Sequence, residues 1–364
     1  MLKFYLFVLL ASLSAGRICA QCDCKCSDYS LTLGKPDKEN VLESPDYYTW
    51  GASPIKGNDG KYHLYYSRWK KQYGFLAWVT HSEIAHAVSD NPLGPYVFHD
   101  LALPARGASF WDGLNTHNPT IHFYEGKYYL YYTGNTGDGV NMKKGLNPTH
   151  RNNQRIGVAV SESPYGPWKR FDTPLIDVSK DTAAYDALMV ANPSVTRMHD
   201  GRYLMVYKAV AKKRRGVWGG PVVHLCAVAD SPVGPFVKHQ KPIFTAEGSS
   251  FPAEDPYIWM QDGCYYAIVK DMHGSFTGAG RSLALFCSED GFNWKPVDEP
   301  LLSTPEIRWA DGKVLKLQHL ERPQILFDGD VPAALFMAAD TMKNYSRSGH
   351  TFNVHVPILR RDIQ

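Results

Sequence analysis

The chain has 364 residues, a formal net charge of +3 and a hydrophobic content of 44%. A charge this close to neutral argues against nucleic acid as a partner, and the length and apolar content suffice for a large buried core. The 22 tyrosines favour β-strands over helices, because tyrosine suits strands with partly solvated edges.

The first 20 residues have the features of a secretory signal peptide. Lys3 precedes an apolar run from residue 4 to residue 15, and the small residue Ala20 ends the segment. The run is too short to span a bilayer, and no later stretch is long and apolar enough to do so. We therefore expect residues 1–20 to be cleaved and the protein to be secreted or periplasmic, with no membrane span.

Residues 21–44 are predicted to form a leader in front of the folded domain. The leader contains Cys22, Cys24 and Cys26, whose alternation matches no common zinc motif. These thiols suit metal binding or disulfide formation after export, and we assign them no function. No metal and no cofactor are predicted for the chain. We expect serine at all three positions to leave the free energy of unfolding unchanged within about 1 kcal/mol.

From residue 45 to residue 364 one pattern occurs five times. Each copy consists of a residue followed by proline, a β-rich run, an acidic residue and glycine that favour a tight turn, and a second β-rich run. The five prolines are Pro54, Pro119, Pro193, Pro256 and Pro323. Each interval is long enough for four strands, so the pattern predicts an all-β fold, a five-bladed β-propeller.

A second sequence pattern recurs between these hairpins. Its clearest copy runs from Ala159 to Trp168 and reads Ala-Val-Ser-Glu-Ser-Pro-Tyr-Gly-Pro-Trp, and related copies begin at Ala87 and Ala227. A strand, a Gly/Pro turn and an aromatic-led strand predict the outer pair of strands in each blade. Residues 351–359 are predicted to be the outer strand of the fifth blade.

The two patterns together resemble the five-bladed propeller glycoside hydrolases of family 43 and its relatives, which include arabinofuranosidases, xylosidases and agaro-oligosaccharide enzymes. The resemblance covers nearly all of the chain that follows residues 1–20 and implies a glycosidase that acts on a plant or algal oligosaccharide or polysaccharide. The family pattern has aspartate before proline in blades one and two, and glutamate two residues before the proline of blade three. Ser53, Asn118 and Ala191 occupy those places here. The family's catalytic residues therefore do not carry over to this sequence.

The propeller fold still predicts where a site should lie. The inner strand of each blade begins, and its hairpin partner ends, at one face of the central channel, so side chains at these positions should share one pocket. The acidic residues at such strand starts are Asp255, Glu321 and Glu254, and we expect them to be catalytic, because glycoside hydrolysis needs one protonated and one ionised carboxyl group. The residues expected to bind the sugar are Trp50, Asp112, His117, Asn118, Asp186, Asn192, Lys208, Lys270 and Arg322.

Asp112 and Asp186 are included because of a shared spacing. Asp112 precedes Asn118 by the same interval as Asp186 precedes Asn192. This suggests two equivalent loops that enter the same face of the propeller, although an aspartate that caps a loop is a common alternative.

The sequence thus predicts a monomeric, exo-acting glycoside hydrolase with a carbohydrate substrate. Two other classes remain open. A sugar-binding propeller without activity would explain the missing aspartates of blades one and two, and a propeller lyase would use His, Lys or Arg instead of a carboxyl pair. Release of reducing sugar supports the hydrolase over the binding protein, and an unsaturated product that absorbs in the near ultraviolet indicates the lyase.

Overall fold

The computed structural model of the protein describes residues 26–341 and 350–360. The predicted signal peptide, Cys22 and Cys24 lie outside the described residues. In the described part of the chain, no helix combines the length and the apolar character that crossing a membrane would require.

The strands form five antiparallel sheets arranged as the blades of a β-propeller, which confirms the predicted fold. Two short strands come first, β1 (Thr32–Leu33) and β2 (Val41–Glu43). Blade one consists of β3 (Tyr47–Lys56), β4 (Tyr62–Lys70), β5 (Glu83–Ser89) and β6 (Val97–Leu103). Blade two consists of β7 (Asn115–Tyr124), β8 (Lys127–Asn135), β9 (Arg155–Ser161) and β10 (Lys169–Arg170). Blade three consists of β11 (Met189–Arg197), β12 (Tyr203–Val210), β13 (Val222–Ala229) and β14 (Val237–Ile243).

The remaining elements follow the same plan. Blade four consists of β15 (Ala253–Gln261), β16 (Cys264–Asp271), β17 (Ser282–Ser288) and β18 (Lys295–Ser303). A separate hairpin, β19 (Glu306–Arg308) and β20 (Val314–Lys316), leads to blade five, which contains β21 (His319–Asp328), β22 (Val331–Asp340) and β23 (Thr351–Leu359). The helical segments are short: α1 (Trp78–His81), α2 (Pro148–Asn152) and the 3-10 turns Cys26–Asp28, Lys71–Tyr73 and Phe75–Ala77.

The predicted turns join the first two strands of each blade. Between β7 and β8 the turn residues Glu125 and Gly126 have φ of 51° and 79°, and between β15 and β16 Asp262 and Gly263 have φ of 49° and 85°. Two successive residues with positive φ give the type of turn whose twist matches that of an antiparallel hairpin. Glycine adopts this conformation without a steric penalty, which accounts for the repeated acidic-Gly pair.

Buried tyrosines on the second strands connect neighbouring blades. Tyr65 of β4 donates its hydroxyl hydrogen to the carbonyl of Pro164 in blade two. In the same way Tyr131 of β8 donates to the carbonyl of Pro232 in blade three at 2.8 Å. Both tyrosines are fully buried, so the ring contributes apolar packing and the hydroxyl group satisfies a carbonyl in the Ser-Pro turn of the next blade.

The first blade differs from the others in the place of its β-bulge. In blades two to five the bulge contains the residue before proline, and that residue has φ between 52° and 55°. In blade one the register break falls between Trp50 and Ser53, and Gly51 has φ of 54°. The prediction that Ser53 and Pro54 are the equivalent pair is therefore wrong by two residues. Glycine reaches positive φ unaided, so blade one forms the same bulge without proline.

The chain's first strands complete the last blade. Both β1 and β2 pair with β23, with Thr32 opposite Leu359 and Val41 opposite Val354. Residues 32–33 and 41–43 lie in the predicted leader, and the boundary at residue 44 separates them from the sheet that they complete.

The start of the described chain packs on blade four. Cys26 is 2% exposed, with its Sγ 2.9 Å from the Sγ of Cys287. The ring of Tyr29 stacks on that of Tyr266 at a centroid distance of 3.9 Å. The expectation that serine at Cys26 leaves stability unchanged does not agree with this packing, because a buried hydroxyl group needs a hydrogen-bond partner.

Candidate active site

A cavity of about 340 Å³ lies at the end of the channel where the inner strands begin. Ten residues that the sequence placed in the site line it: Trp50, His117, Asn118, Asn192, Lys208, Glu254, Asp255, Lys270, Glu321 and Arg322. They come from all five blades, so side chains at the starts of the inner strands and at the ends of their hairpin partners share one pocket. A volume of this order is typical of pockets for small ligands.

The bulge residues of the five blades form a ring around the axis, here called the axial ring, made up of Gly51, Asn118, Asn192, Asp255 and Arg322. Asn118 Nδ2 donates to Asn192 Oδ1 at 2.7 Å, and Asn192 Nδ2 donates to Asp255 Oδ1 at 2.8 Å. Arg322 Nη1 donates to the same oxygen at 3.2 Å. Gly51 is the blade-one member of the ring: a Cβ built on it would lie 3.4 Å from both Arg322 and Asn118, its two neighbours in the ring.

A second layer of charged residues lies beside the axial ring. Glu254 precedes the bulge of blade four, and Glu321 occupies the same place in blade five. Lys208 Nζ lies 2.8 Å from Glu254 Oε1, and Lys270 Nζ lies 3.3 Å from Glu254 Oε2. Lys270 Nζ also contacts Glu321 Oε1. The two glutamates therefore share one ammonium group, which fixes both carboxylates against the wall of the cavity.

Adjacent carboxyl groups in this site have pKa values shifted in opposite directions. Burial alone would raise the pKa of Glu254, but the charges and hydrogen bonds of Lys208 and Lys270 outweigh it and hold this pKa well below its usual range. Burial raises the pKa of Asp255 to about 6; the charge of Arg322 opposes this shift, and the charges of Glu254 and Glu321 act in the same direction as burial. Such a pair provides one carboxyl group that stays ionised and one that keeps its proton up to about pH 6.

Lys270 is a cation under all ordinary conditions. Burial would lower its pKa, but the charges of Glu321 and Glu254 raise it above the usual range. Within the described residues each of Glu254, Asp255 and Glu321 already contacts a lysine or an arginine. The cavity therefore supplies its own counter-charges.

His117 is a neutral wall residue. Its two ring nitrogens contact Asn115 Oδ1 at 2.7 Å and Gln154 Oε1 at 3.0 Å, and burial lowers its pKa to about 3. The sequence did not single out a second histidine, His319, which lines the cavity and has its Nδ1 2.8 Å from Asp340 Oδ2. His319 is the first residue of β21, the strand that carries Glu321. Its position at the start of an inner strand could have identified it as a residue of the cavity.

An apolar wall that the sequence did not predict covers one side of the cavity. It comes mainly from the insertion between β4 and β5, which contributes Phe75, Leu76 and Trp78 beside Trp69. The ring of Phe75 meets that of Trp50 edge-on at a centroid distance of 5.4 Å. Aromatic faces beside carboxylates and amides suit a sugar, which has apolar C–H faces and polar hydroxyl groups. Further lining residues from other loops are Leu146, Phe251 and Met272.

Asp112 and Asp186 do not line the cavity, so their assignment to the sugar site is wrong. Asp112 is fully buried, accepts from the Tyr132 hydroxyl at 2.7 Å and contacts both Arg106 and Arg170. Asp186 is also fully buried, and it contacts the hydroxyl group of Tyr207 and the ammonium group of Lys238. The shared spacing is real, but each aspartate joins the second strand of its own blade to the fourth.

The protein resembles solved structures of several glycoside hydrolases over nearly its full length. It aligns with Zg3597, a family 117 glycoside hydrolase of the marine bacterium Zobellia galactanivorans, with a TM-score of 0.61 and 17% identity over 90% of each protein. It aligns with an α-L-arabinofuranosidase from Lactobacillus brevis with a TM-score of 0.57 and 13% identity, over 90% of this protein and 94% of that one. The values for an endo-arabinase from Bacteroides thetaiotaomicron are 0.54 and 14%, over 91% and 99%.

These likenesses confirm the predicted resemblance to propeller glycoside hydrolases at the level of the fold. No protein-family model matches the chain. No curated protein matches it either. At identities of 13–17%, the shared architecture assigns no role to individual residues.

Proposed function

We propose that the protein is a secreted, exo-acting glycoside hydrolase whose catalytic carboxyl groups are Asp255 and Glu321, with Glu254 as a third carboxylate. The observation that carries this proposal is the raised pKa of Asp255, about 6, beside carboxylates paired with lysine. Glycoside hydrolysis requires one carboxyl group that donates a proton to the leaving oxygen and a second, ionised one that acts as base or nucleophile.

Asp255 is the proton donor in this proposal. Its Oδ1 accepts hydrogen bonds from Asn192 and Arg322, which fix the plane of the carboxyl group. In the described part of the chain the contacts of Asp255 involve Oδ1 alone, so Oδ2 is the oxygen that carries the proton toward the substrate.

Glu321 is the base or nucleophile, and Glu254 is a fixed anion. Both oxygens of Glu254 contact lysine ammonium groups, which makes Glu254 a weak base. Glu321 contacts Lys270 through Oε1, and its Oε2 accepts no hydrogen bond from the described residues. Oε2 is therefore the oxygen available to attack the sugar or to activate water.

An exo mode of action belongs to the same proposal. The insertion that carries Phe75, Leu76 and Trp78 lines one side of the pocket, where it would restrict the passage of a long polysaccharide. The likeness to an α-L-arabinofuranosidase suggests arabinose-containing oligosaccharides as first substrates to test, and the resemblance of the sequence to agaro-oligosaccharide enzymes suggests algal ones.

Secretion and a monomeric state belong to the same proposal and rest on the sequence alone. Residues 1–20 have the pattern of a cleaved signal peptide. Cell fractionation with N-terminal sequencing of the exported protein tests the first point. Light scattering of the purified protein tests the second.

The test of the function is a substrate panel with product analysis. The purified protein is incubated with arabinose-containing and algal oligosaccharides, and the products are identified by mass spectrometry. We expect single sugars to be released from one end of the substrate, with one water added per bond cleaved. Internal cleavage would contradict the exo mode, and an unsaturated product would indicate a lyase. Saturable sugar binding without any product would indicate a binding protein.

A further inference from the structure

Outside the cavity, one group of residues has the spacing of metal ligands. His86 lies on β5, and His99 and Asp100 lie on β6, the outermost strand of blade one. One ligand atom from each of the three lies within 4.8 Å of the others. His86 is buried, whereas the side chains of His99 and Asp100 are 48% and 41% exposed, so the group is open to solvent on one side.

The histidines of this region belong to a series of contacts that lacks one proton. His63 Nε2 lies 3.1 Å from Asp59 Oδ1, His63 Nδ1 lies 2.9 Å from His86 Nε2, and His86 Nδ1 lies 3.2 Å from Asp100 Oδ1. Each of these three contacts needs a hydrogen between its two heavy atoms. Two neutral imidazoles supply one ring hydrogen each, and ionised carboxylates supply none. One contact is therefore left with two lone pairs facing each other.

One arrangement of the ring hydrogens leaves that unfilled contact at Asp100. In it the hydrogen of His63 is on Nε2, toward Asp59, and the hydrogen of His86 is on Nε2, toward His63 Nδ1. His86 Nδ1 is then a bare nitrogen that faces the Asp100 carboxylate, as a metal ligand would.

The third residue faces the same position. His99 Nδ1 lies 3.4 Å from Asp100 Oδ2. In a tetrahedral zinc site with ligand bonds of about 2.0–2.1 Å, neighbouring ligand atoms are about 3.3 Å apart. The separations from His86 Nδ1 to Asp100 Oδ1 and from His99 Nδ1 to Asp100 Oδ2 are 3.2 Å and 3.4 Å, each close to this value. We propose that His86, His99 and Asp100 bind one divalent transition metal ion, with zinc as the expected metal and solvent as the fourth ligand.

The surroundings have the features of an outer ligand shell. A histidine that binds metal commonly donates its remaining ring N–H to a fixed acceptor. With His86 Nδ1 on the metal, His86 Nε2 would donate to His63 Nδ1, and His63 Nε2 would donate to Asp59. The Tyr165 hydroxyl of blade two donates to Asp59 Oδ2 at 3.0 Å. Imidazole nitrogens with a carboxylate are the donor set that favours zinc over magnesium or calcium.

The role of the metal would be structural. It would link β5 to β6, and its outer ligands reach β4 in the same blade and the Ser-Pro turn of blade two. His63 lies near the start of β4, whereas Ser67, near the other end of that strand, lines the cavity. The metal site is therefore separate from the proposed catalytic site, and its test does not depend on activity.

Zinc binding by the purified full-length protein, without a histidine tag, tests the proposal. The protein is stripped with a chelator and titrated with Zn²⁺ in a calorimeter, and its melting temperature is followed in parallel. We expect one zinc ion per protein molecule, a rise in the melting temperature and nitrogen and oxygen ligands without sulfur in the zinc X-ray absorption spectrum. His99→Ala should weaken binding by about tenfold or more, since it removes a ligand from the exposed side.

The sequence offers a control in His239, which is the third residue of β14 in blade three as His99 is the third residue of β6 in blade one. His239 is exposed and has Lys238 and Gln240 as neighbours instead of a carboxylate. His239→Ala should bind zinc as the parent does. The proposal fails if the parent binds no zinc at micromolar concentration, if His99→Ala binds it unchanged, or if the spectrum shows sulfur ligands.

Discussion

Asp255 and Arg322 form a buried ion pair across two neighbouring blades, with Arg322 Nη1 3.2 Å from Asp255 Oδ1. Both residues lie on β-bulges with positive φ, 54° for Asp255 and 55° for Arg322. The backbone of each bulge turns the side chain toward the axis, where the two side chains meet. The arginine orients the carboxyl group, while burial and the two nearby glutamates keep its pKa above the usual range.

The rate of hydrolysis should therefore fall at high pH. Catalysis in this account needs the protonated form of Asp255, whose pKa is raised to about 6, so the proton is present below that pH and lost above it. We expect kcat/KM to fall about tenfold per pH unit above pH 6. A profile of kcat/KM from pH 4.5 to pH 8.5 measures this. A plateau that continues to pH 8 would show that Asp255 is not the acid.

The hydrogen bond from Asn192 to Asp255 should help to set the pH above which kcat/KM falls. Asn192→Gly keeps the positive φ of the bulge but removes a donor to the ionised form of Asp255, so the pKa should rise further, by about one unit. Asn118→Gly is the matched control, because Asn118 donates to Asn192 and not to Asp255. The pH above which kcat/KM falls should be higher in Asn192→Gly than in the parent, and it should change much less in Asn118→Gly. Equal profiles for both variants would contradict this role of Asn192.

The fold and the placing of most site residues could be predicted from the sequence because they depend on local signals. An acidic-Gly turn and an X-Pro bulge each specify their own backbone conformation, and five copies imply five blades. The prediction at Ser53 and Pro54 is wrong because in blade one the bulge conformation is provided by Gly51, which reaches positive φ without a proline after it.

The apolar wall and the true place of Asp112 depend on contacts between distant parts of the chain. Phe75 faces Trp50 only because a helical insertion folds back over blade one. The partners of Asp112 include Arg170, on the fourth strand of the same blade. Spacing along the sequence could not distinguish an aspartate that points into a pocket from one that ties two strands together.

Asp112 and Asp186 should be important for stability and unimportant for the reaction. Asp112→Asn leaves Arg106 and Arg170 without their buried counter-charge, and loss of one partner of a buried ion pair typically costs about 3–5 kcal/mol. Asp186→Asn should act in the same way through Lys238. Urea unfolding measures the loss, and kcat per folded molecule should stay near that of the parent. A drop in kcat of about a hundredfold without a loss of stability would contradict this prediction and indicate that Asp112 and Asp186 act in the reaction.

Residues 26–44 should be required for folding. A protein that begins at Cys26 should melt at the temperature of one that begins at residue 21. A protein that begins at Pro45 lacks β1, β2 and the side chains of Tyr29 and Leu42. Each buried apolar side chain contributes about 1.5–3 kcal/mol, so the loss should lower the melting temperature by roughly 10 °C or prevent folding. Equal melting curves for the two shorter proteins would show that this segment is dispensable.

The most direct test of the central claim is the turnover of Asp255→Asn and Glu321→Gln on a substrate that the parent cleaves. Both substitutions keep the shape of the side chain and remove its titratable group. We expect each to lower kcat by about 10²–10⁴ while sugar binding persists. Asp90→Asn, at an exposed residue in an outer turn that pairs with Lys61, serves as the control and should retain full activity. Near-parental kcat in both Asp255→Asn and Glu321→Gln would contradict the assignment of the catalytic carboxyl groups.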